Sequence, residues 1–146
     1  MLIGISAQLS PELLHALASM GHGDELVIAD ANFPAAKLAR RLVQTTSEST
    51  TRLARAMLML LPLDEFVVAP LALMQAARPQ DQNAPALADL SAALAGFGKV
   101  EQIERNAFYE RAAQAFVIVA TSDARPYANV ILRKGVIAQG GTGYVA

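Results

Sequence analysis

With 146 residues, 53% of them hydrophobic, the chain has the length of one compact domain with a sizeable core. Its 12 Lys and Arg against 13 Asp and Glu leave a formal net charge of −1, with the signs interspersed, which excludes the positive field that nucleic acid or an anionic membrane surface would require. No cysteine is present, which excludes disulfides, thiolate nucleophiles, Cys-based zinc sites and iron–sulfur clusters.

Met1-Leu2-Ile3-Gly4-Ile5 has no basic region and meets Pro11 and Glu12 before a long apolar segment can form, so no signal peptide is expected and a cytoplasmic location is. Ser10-Pro11-Glu12 reads as an N-cap, a first-turn proline and an early acid, followed by Leu13, Leu14 and Leu17 on one helical face. Gly21 ends that helix. Leu26 to Ala29 is a short continuous apolar run, the pattern of a strand covered on both faces, with Asp30 at its carboxyl end. Pro34 interrupts, and Lys37 to Thr51 gives so little periodic signal that loop is expected there.

From Arg52 to Leu61 the spacing of Leu53, Met57, Leu60 and Leu61 is helical, while Phe66 to Met74 reads as one or two buried strands divided at Pro70. The longest apolar stretch, Ala56 to Leu63, carries Pro62 and stops at Asp64-Glu65, short of the ~20 residues of a membrane span. Gln80 to Pro85 is a polar turn, Ala86 to Leu94 a helix, and Val100 to Glu104 a strand with one solvated face. Ala107 to Gln114 reads as helix, Phe116 to Val119 as a central strand, and Asn129 to Arg133 as another strand. This alternation predicts a single α/β domain over residues 1–146, with a central mixed sheet flanked by helices in three layers, and residues 137–146 as a glycine-rich tail. Positive mean hydropathy with modest charge predicts that some apolar surface is buried between subunits.

No phosphate loop occurs, and Gly21-His22-Gly23 follows a helix where a dinucleotide fingerprint would follow a strand. His22, in that glycine-flanked turn with Asp24, Glu25 and Asp30 close in sequence, is either an acid/base catalyst or a capping residue. Histidine suits the first role because its ordinary pKa of about 6.5 lets it give and take protons near neutrality. Asp30 either caps the next turn or faces a crevice at the carboxyl edge of the sheet, where α/β proteins bind ligands. Arg105, beside Phe108, Tyr109, Glu110 and Arg111, offers a planar fork of donors for hydroxyl groups or an ion pair at the surface. Tyr127 and Asn129 can stack on or bond a polyhydroxylated ligand, or serve as turn and edge residues. His15, on the first helix, is assigned no function.

Taken together, Gly21-His22-Gly23-Asp24-Glu25, Ile28-Ala29-Asp30-Ala31-Asn32-Phe33-Pro34, Ala107-Phe108-Tyr109-Glu110-Arg111-Ala112 and Tyr127-Ala128-Asn129-Val130-Ile131-Leu132 resemble the ribose pyranase and fucose mutarotase family. The resemblance runs from about Met1 to Val136. It implies that His22 is a proton donor and acceptor, that Asp30 and Arg105 bind sugar, and that Tyr127, Ala128 and Asn129 clamp it. Phe108 to Arg111 resembles the fucose branch, whereas Ala128 matches the ribose branch. The implied reaction is acid/base-catalysed opening and reclosure of a monosaccharide ring, with L-fucose the expected substrate, D-ribose the alternative, and no metal or other cofactor. A non-catalytic sugar-binding accessory of a transport system is the competing reading. The resemblance also implies a ring-shaped homo-oligomer, often a decamer, with sites near subunit boundaries.

Overall fold

A computed structural model describes residues 2–139 of the chain. The first helix, α1 (Pro11–Ser19), starts where Ser10 accepts a hydrogen bond from the Leu13 N–H at 3.2 Å, and it buries Leu13, Ala16 and Leu17. A turn containing His22 leads into β1 (Glu25–Ala29). A single turn of helix, α2 (Ala35–Leu38), precedes β2 (Leu42–Gln44). Ser49 then caps α3 (Thr50–Leu58), and an irregular segment reaches β3 (Leu71–Met74). A 3-10 turn (Pro79–Asp81) and α4 (Pro85–Leu94) lead to β4 (Val100–Ile103). Glu104 caps α5 (Arg105–Gln114), accepting from the N–H groups of Asn106 and Ala107, and β5 (Val117–Ala120) and β6 (Val130–Arg133) complete the chain.

The six strands form one mixed sheet in the order β2-β5-β1-β6-β3-β4. Strand β6 runs antiparallel to both its neighbours, β1 and β3, while the other pairings are parallel. One face packs Leu26, Ile28, Leu71, Leu73, Val117 and Val119 against α1, α3 and α4. The other packs Val27, Ala29, Ala72, Ile118 and Ile131 against Phe33 and α5, through Phe108 and Ala112. The expected three-layer α/β arrangement is therefore present, and β1 reads as a continuous apolar run because both its faces are covered. No helix among the described residues is long and apolar enough to cross a membrane.

Three sequence expectations need correction. The stretch expected to be loop, Lys37 to Thr51, holds the end of α2, all of β2 and the start of α3; β2 is a three-residue edge strand that gains its definition by pairing Val43 with Val119. The stretch from Phe66 to Ala69 is not a strand, and Phe66 and Val68 are 78% and 80% exposed, so only Leu71–Met74 is sheet. Glu104 belongs to the cap of α5 rather than to β4, which moves the helix start back to Arg105. Most of the predicted glycine-rich tail, residues 140–146, lies outside the described residues.

Candidate active site

The two edges of the sheet carry different chemistry. Because β6 lies on the far side of β1 from β5, the connecting residues 121–129 must cross the carboxyl end of β1 before the chain reverses. That crossing lays Asn129, which follows Tyr127 and Ala128, against Asp30. The Asn129 side chain accepts from the Asp30 backbone N–H at 2.9 Å and donates to its carboxylate at 2.7 Å, while the Asn32 N–H donates to the other carboxylate oxygen at 2.8 Å. Burial pushes the Asp30 carboxyl above the ordinary aspartate value, against the hydrogen bonds from Asn32, Asn129 and Phe33.

Tyr127 has a backbone φ of 63°, a left-handed conformation that costs a non-glycine residue about 1–2 kcal/mol. Its hydroxyl donates to Asp81 at 2.9 Å and accepts from the Ala77 N–H at 3.2 Å. Ala128 is fully buried beneath it. Arg105, the first residue of α5, is exposed at the same carboxyl edge and pairs with no carboxylate among the described residues. One turn further along α5, the Tyr109 ring meets Phe33 edge-on at 5.3 Å. Five of the six predicted site residues thus share the edge where α/β sheets bind ligands.

The same crossing is held by Asp123, which is 1% exposed. Four N–H groups converge on its carboxylate: the backbone of Thr50 and Arg125, and the Arg125 guanidinium through Nε and Nη2, all within 3.1 Å. Burial opposes ionisation here, but these donors outweigh it and hold the carboxyl below its usual value. Arg125 also reaches Asp89 on α4, which accepts in turn from the Thr51 hydroxyl. Since the folded-state pKa lies below the unfolded one, Asp123 stabilises the fold above about pH 4 and that contribution is lost as pH falls through the folded value. An amide would oppose one of the four donors with its own NH2. Asp123→Asn should therefore cost about 1.5–3 kcal/mol of unfolding free energy at neutral pH, with a difference from wild type in urea denaturation that shrinks below about pH 4.

His22 lies at the opposite edge. A strand of five residues at roughly 3.3 Å each separates its two ends by about 13 Å, so His22 and Asp30 of one chain do not share a sugar-sized site. None of the carboxylates near His22 in sequence is its partner. Its Nε2 lies 3.2 Å from Asp64, which is 2% exposed and receives the Arg133 Nε on its second oxygen at 2.9 Å. A β-bridge between Leu63 and Lys134 and the bond from the Asp64 N–H to the Arg133 carbonyl bring this aspartate to the turn. The Phe66 N–H, then Arg133 and His22, hold the Asp64 carboxyl below its usual value. An ionised Asp64 accepts the Nε2 proton, which leaves Nδ1 as the basic nitrogen. Beyond Arg133, Glu25 and Arg111 extend the ion pairs to Glu101, so Arg111 is spent on structure rather than on a ligand.

The His22 side chain is half-exposed. The Phe66 ring lies 5.5 Å from the imidazole, and an apolar cleft of about 740 Å³, lined by Leu2, Ile5, Leu14, Leu17 and Leu60 among others, runs beside it. Leu2, Ile3, Met59, Phe66, Val68 and Val136 are all more than half exposed.

Residues 3–137 match the model of the RbsD / FucU transport protein family. The chain is 44% identical to the fucose mutarotase of Homo sapiens, over 92% of this chain and 94% of that one. It is 42% identical to the L-fucose mutarotase of Actinobacillus pleuropneumoniae, over 93% and 97%. Among solved structures, the fucose mutarotase from Streptococcus pneumoniae in complex with L-fucose superposes with a TM-score of 0.87 at 36% identity, covering 94% of this chain and all of that one. Bacillus subtilis RbsD complexed with D-ribose shares the fold, with a TM-score of 0.74 at 19% identity over 94% of this chain. Fold, motif order and full-length similarity agree, and the chain belongs to the RbsD/FucU family.

Proposed function

We propose that this protein is a fucose mutarotase, an isomerase that interconverts the anomers of L-fucose by opening and reclosing the sugar ring, and that His22 carries the proton transfer. The observation that carries the mechanism is the His22–Asp64 pair: a half-exposed imidazole with one nitrogen tied to a buried carboxylate and the other without a partner among the described residues. The relatives that are fucose mutarotases over nearly their whole length support the substrate.

In a cyclic aldose the anomeric carbon carries the ring oxygen and a hydroxyl. Opening transfers the anomeric hydroxyl proton to a base; its O–H electrons form the carbonyl as the carbon–ring oxygen bond breaks, and the ring oxygen takes a proton. Rotation about the adjoining carbon–carbon bond and reclosure give the other anomer. A neutral His22, its Nε2–H held by Asp64, presents Nδ1 to accept that first proton and, once protonated, to return one. The partner transfer falls to water or a second side chain. Asp30, Arg105, Tyr127, Ala128 and Asn129 bind the sugar.

The separation of His22 from those five residues makes self-association part of this reading. His22 of one copy faces the carboxyl edge of a second copy, and the exposed apolar side chains around His22 supply the contact. A closed ring of copies, up to the expected homodecamer, repeats that head-to-tail contact.

Saturation-transfer NMR on the anomeric protons of L-fucose, with D-ribose in parallel, tests the activity. Accelerated exchange of L-fucose is expected. Acceleration of D-ribose alone would move the protein to the pyranase reaction, and binding of either sugar without acceleration would leave a sugar-binding accessory.

A further inference from the structure

The conformation of Tyr127 needs a cause. It is the only non-glycine residue with positive φ among the described residues, and Ala128 and Asn129 follow from its backbone direction. A tyrosine gains nothing intrinsic from the left-handed region, so tertiary contacts must hold it there. Those contacts come from the segment after β3. Leu73 pairs with Val130 across the β3–β6 boundary, so the chain leaving β3 runs alongside the chain entering β6. Within that segment the Ala77 N–H donates to the Tyr127 hydroxyl, which donates in turn to the Asp81 carboxylate. Asp81 is fixed in turn by Arg78, whose Nε and Nη2 reach its two oxygens at 2.7 and 3.3 Å.

A continuous set of contacts therefore runs from the 3-10 turn to the buried carboxylate: Arg78 to Asp81, Asp81 to Tyr127, and, two residues along the chain, Asn129 to Asp30 on both its backbone and its side chain. The hydroxyl of Tyr127 is spent on this anchorage, and what the segment offers a sugar is the face of the ring and the adjoining backbone. We propose that Asp81 is a positioning residue for the sugar-binding edge, holding Tyr127 in its left-handed conformation and so presenting residues 127–129 to the substrate. The proposal rests on reading those residues as the sugar clamp. Asp81 touches neither His22 nor its partners, so its removal acts on binding and leaves the proton transfer intact.

The test is KM and kcat for L-fucose exchange, read from the concentration dependence of saturation transfer, in Asp81→Ala, Asp81→Asn, Tyr127→Phe, the Asp81→Ala/Tyr127→Phe double variant and Asn129→Ala. Loss of a hydrogen bond to a charged group predicts that Asp81→Ala raises KM about tenfold, with kcat within about twofold. Asparagine keeps an oxygen that accepts from the tyrosine hydroxyl, so Asp81→Asn recovers most of the affinity and distinguishes positioning from general loss of structure. The double variant should bind no worse than the weaker single variant, because both remove one interaction. Unchanged KM in Asp81→Ala, or additive losses in the double variant, with Asn129→Ala impaired, would overturn the role of Asp81 alone. Unchanged KM in Asn129→Ala would overturn the sugar clamp and this proposal with it.

Discussion

His22→Ala should lower the L-fucose exchange rate at saturating sugar by about 10²–10⁴-fold, the usual contribution of a positioned acid/base group, while the sugar is still bound. The division follows from geometry: the residues read as binding hydroxyls are at the other end of β1, so deleting the imidazole removes little of their contact. A loss confined to kcat identifies an interaction made in the transition state, whereas equal losses in affinity and rate would contradict the role given to His22. Asp64→Asn should give a smaller loss than His22→Ala. The amide can present either its oxygen or its NH2 to Nε2, so Nδ1 is no longer held as the basic nitrogen, but the imidazole remains in place. Saturation transfer at several sugar concentrations separates the two quantities for each variant.

The fold was readable wherever local chemistry and tertiary structure agree. Ser10-Pro11 marks a helix start that the structure keeps, and Leu26 to Ala29 is a buried strand whose neighbours cover both faces. It was unreadable where definition comes from afar. Three residues at a sheet edge, as in β2, leave no period to detect. Phe66 and Val68 are apolar yet exposed, which composition alone renders as core. Nothing local marks β6 as antiparallel either; that direction follows from the short crossing over the end of β1.

The candidate site divides on the same line. Turn chemistry and position at a strand end single out His22 and Asp30, and the resemblance names Asp30 and Asn129 each as sugar-binding; that the two bond to each other across 99 residues is visible only in the structure. Asp64 was missed. It stands 42 residues from His22 and ends an apolar run that reads as an ordinary polar boundary; only the Leu63–Lys134 bridge gives it meaning. Sequence proximity instead favoured Asp24 and Glu25. The first accepts from the Gly21 N–H within its own turn, and the second pairs with Arg111 and Arg133.

Mixing two impaired variants should restore activity, measured at sugar well below the KM of Asn129→Ala, if a complete site needs two copies of the chain. His22→Ala keeps a working sugar edge and Asn129→Ala keeps a working imidazole, and each homo-oligomer contains only damaged sites. In a head-to-tail ring assembled from equal amounts of the two, random neighbours join an intact His22 to an intact edge in about a quarter of the contacts. Co-refolding the variants should thus raise exchange from near the residual level of each to about a quarter of wild type. Each variant refolded separately and mixed without subunit exchange should stay impaired. Were His22 and Asn129 required from the same chain, every chain would carry one defect and no mixture could exceed the average of the two residual rates. The roughly 13 Å length of β1 keeps His22 and Asn129 of one chain too far apart to touch one sugar, so recovery in the mixture is the expected result if copies associate head to tail.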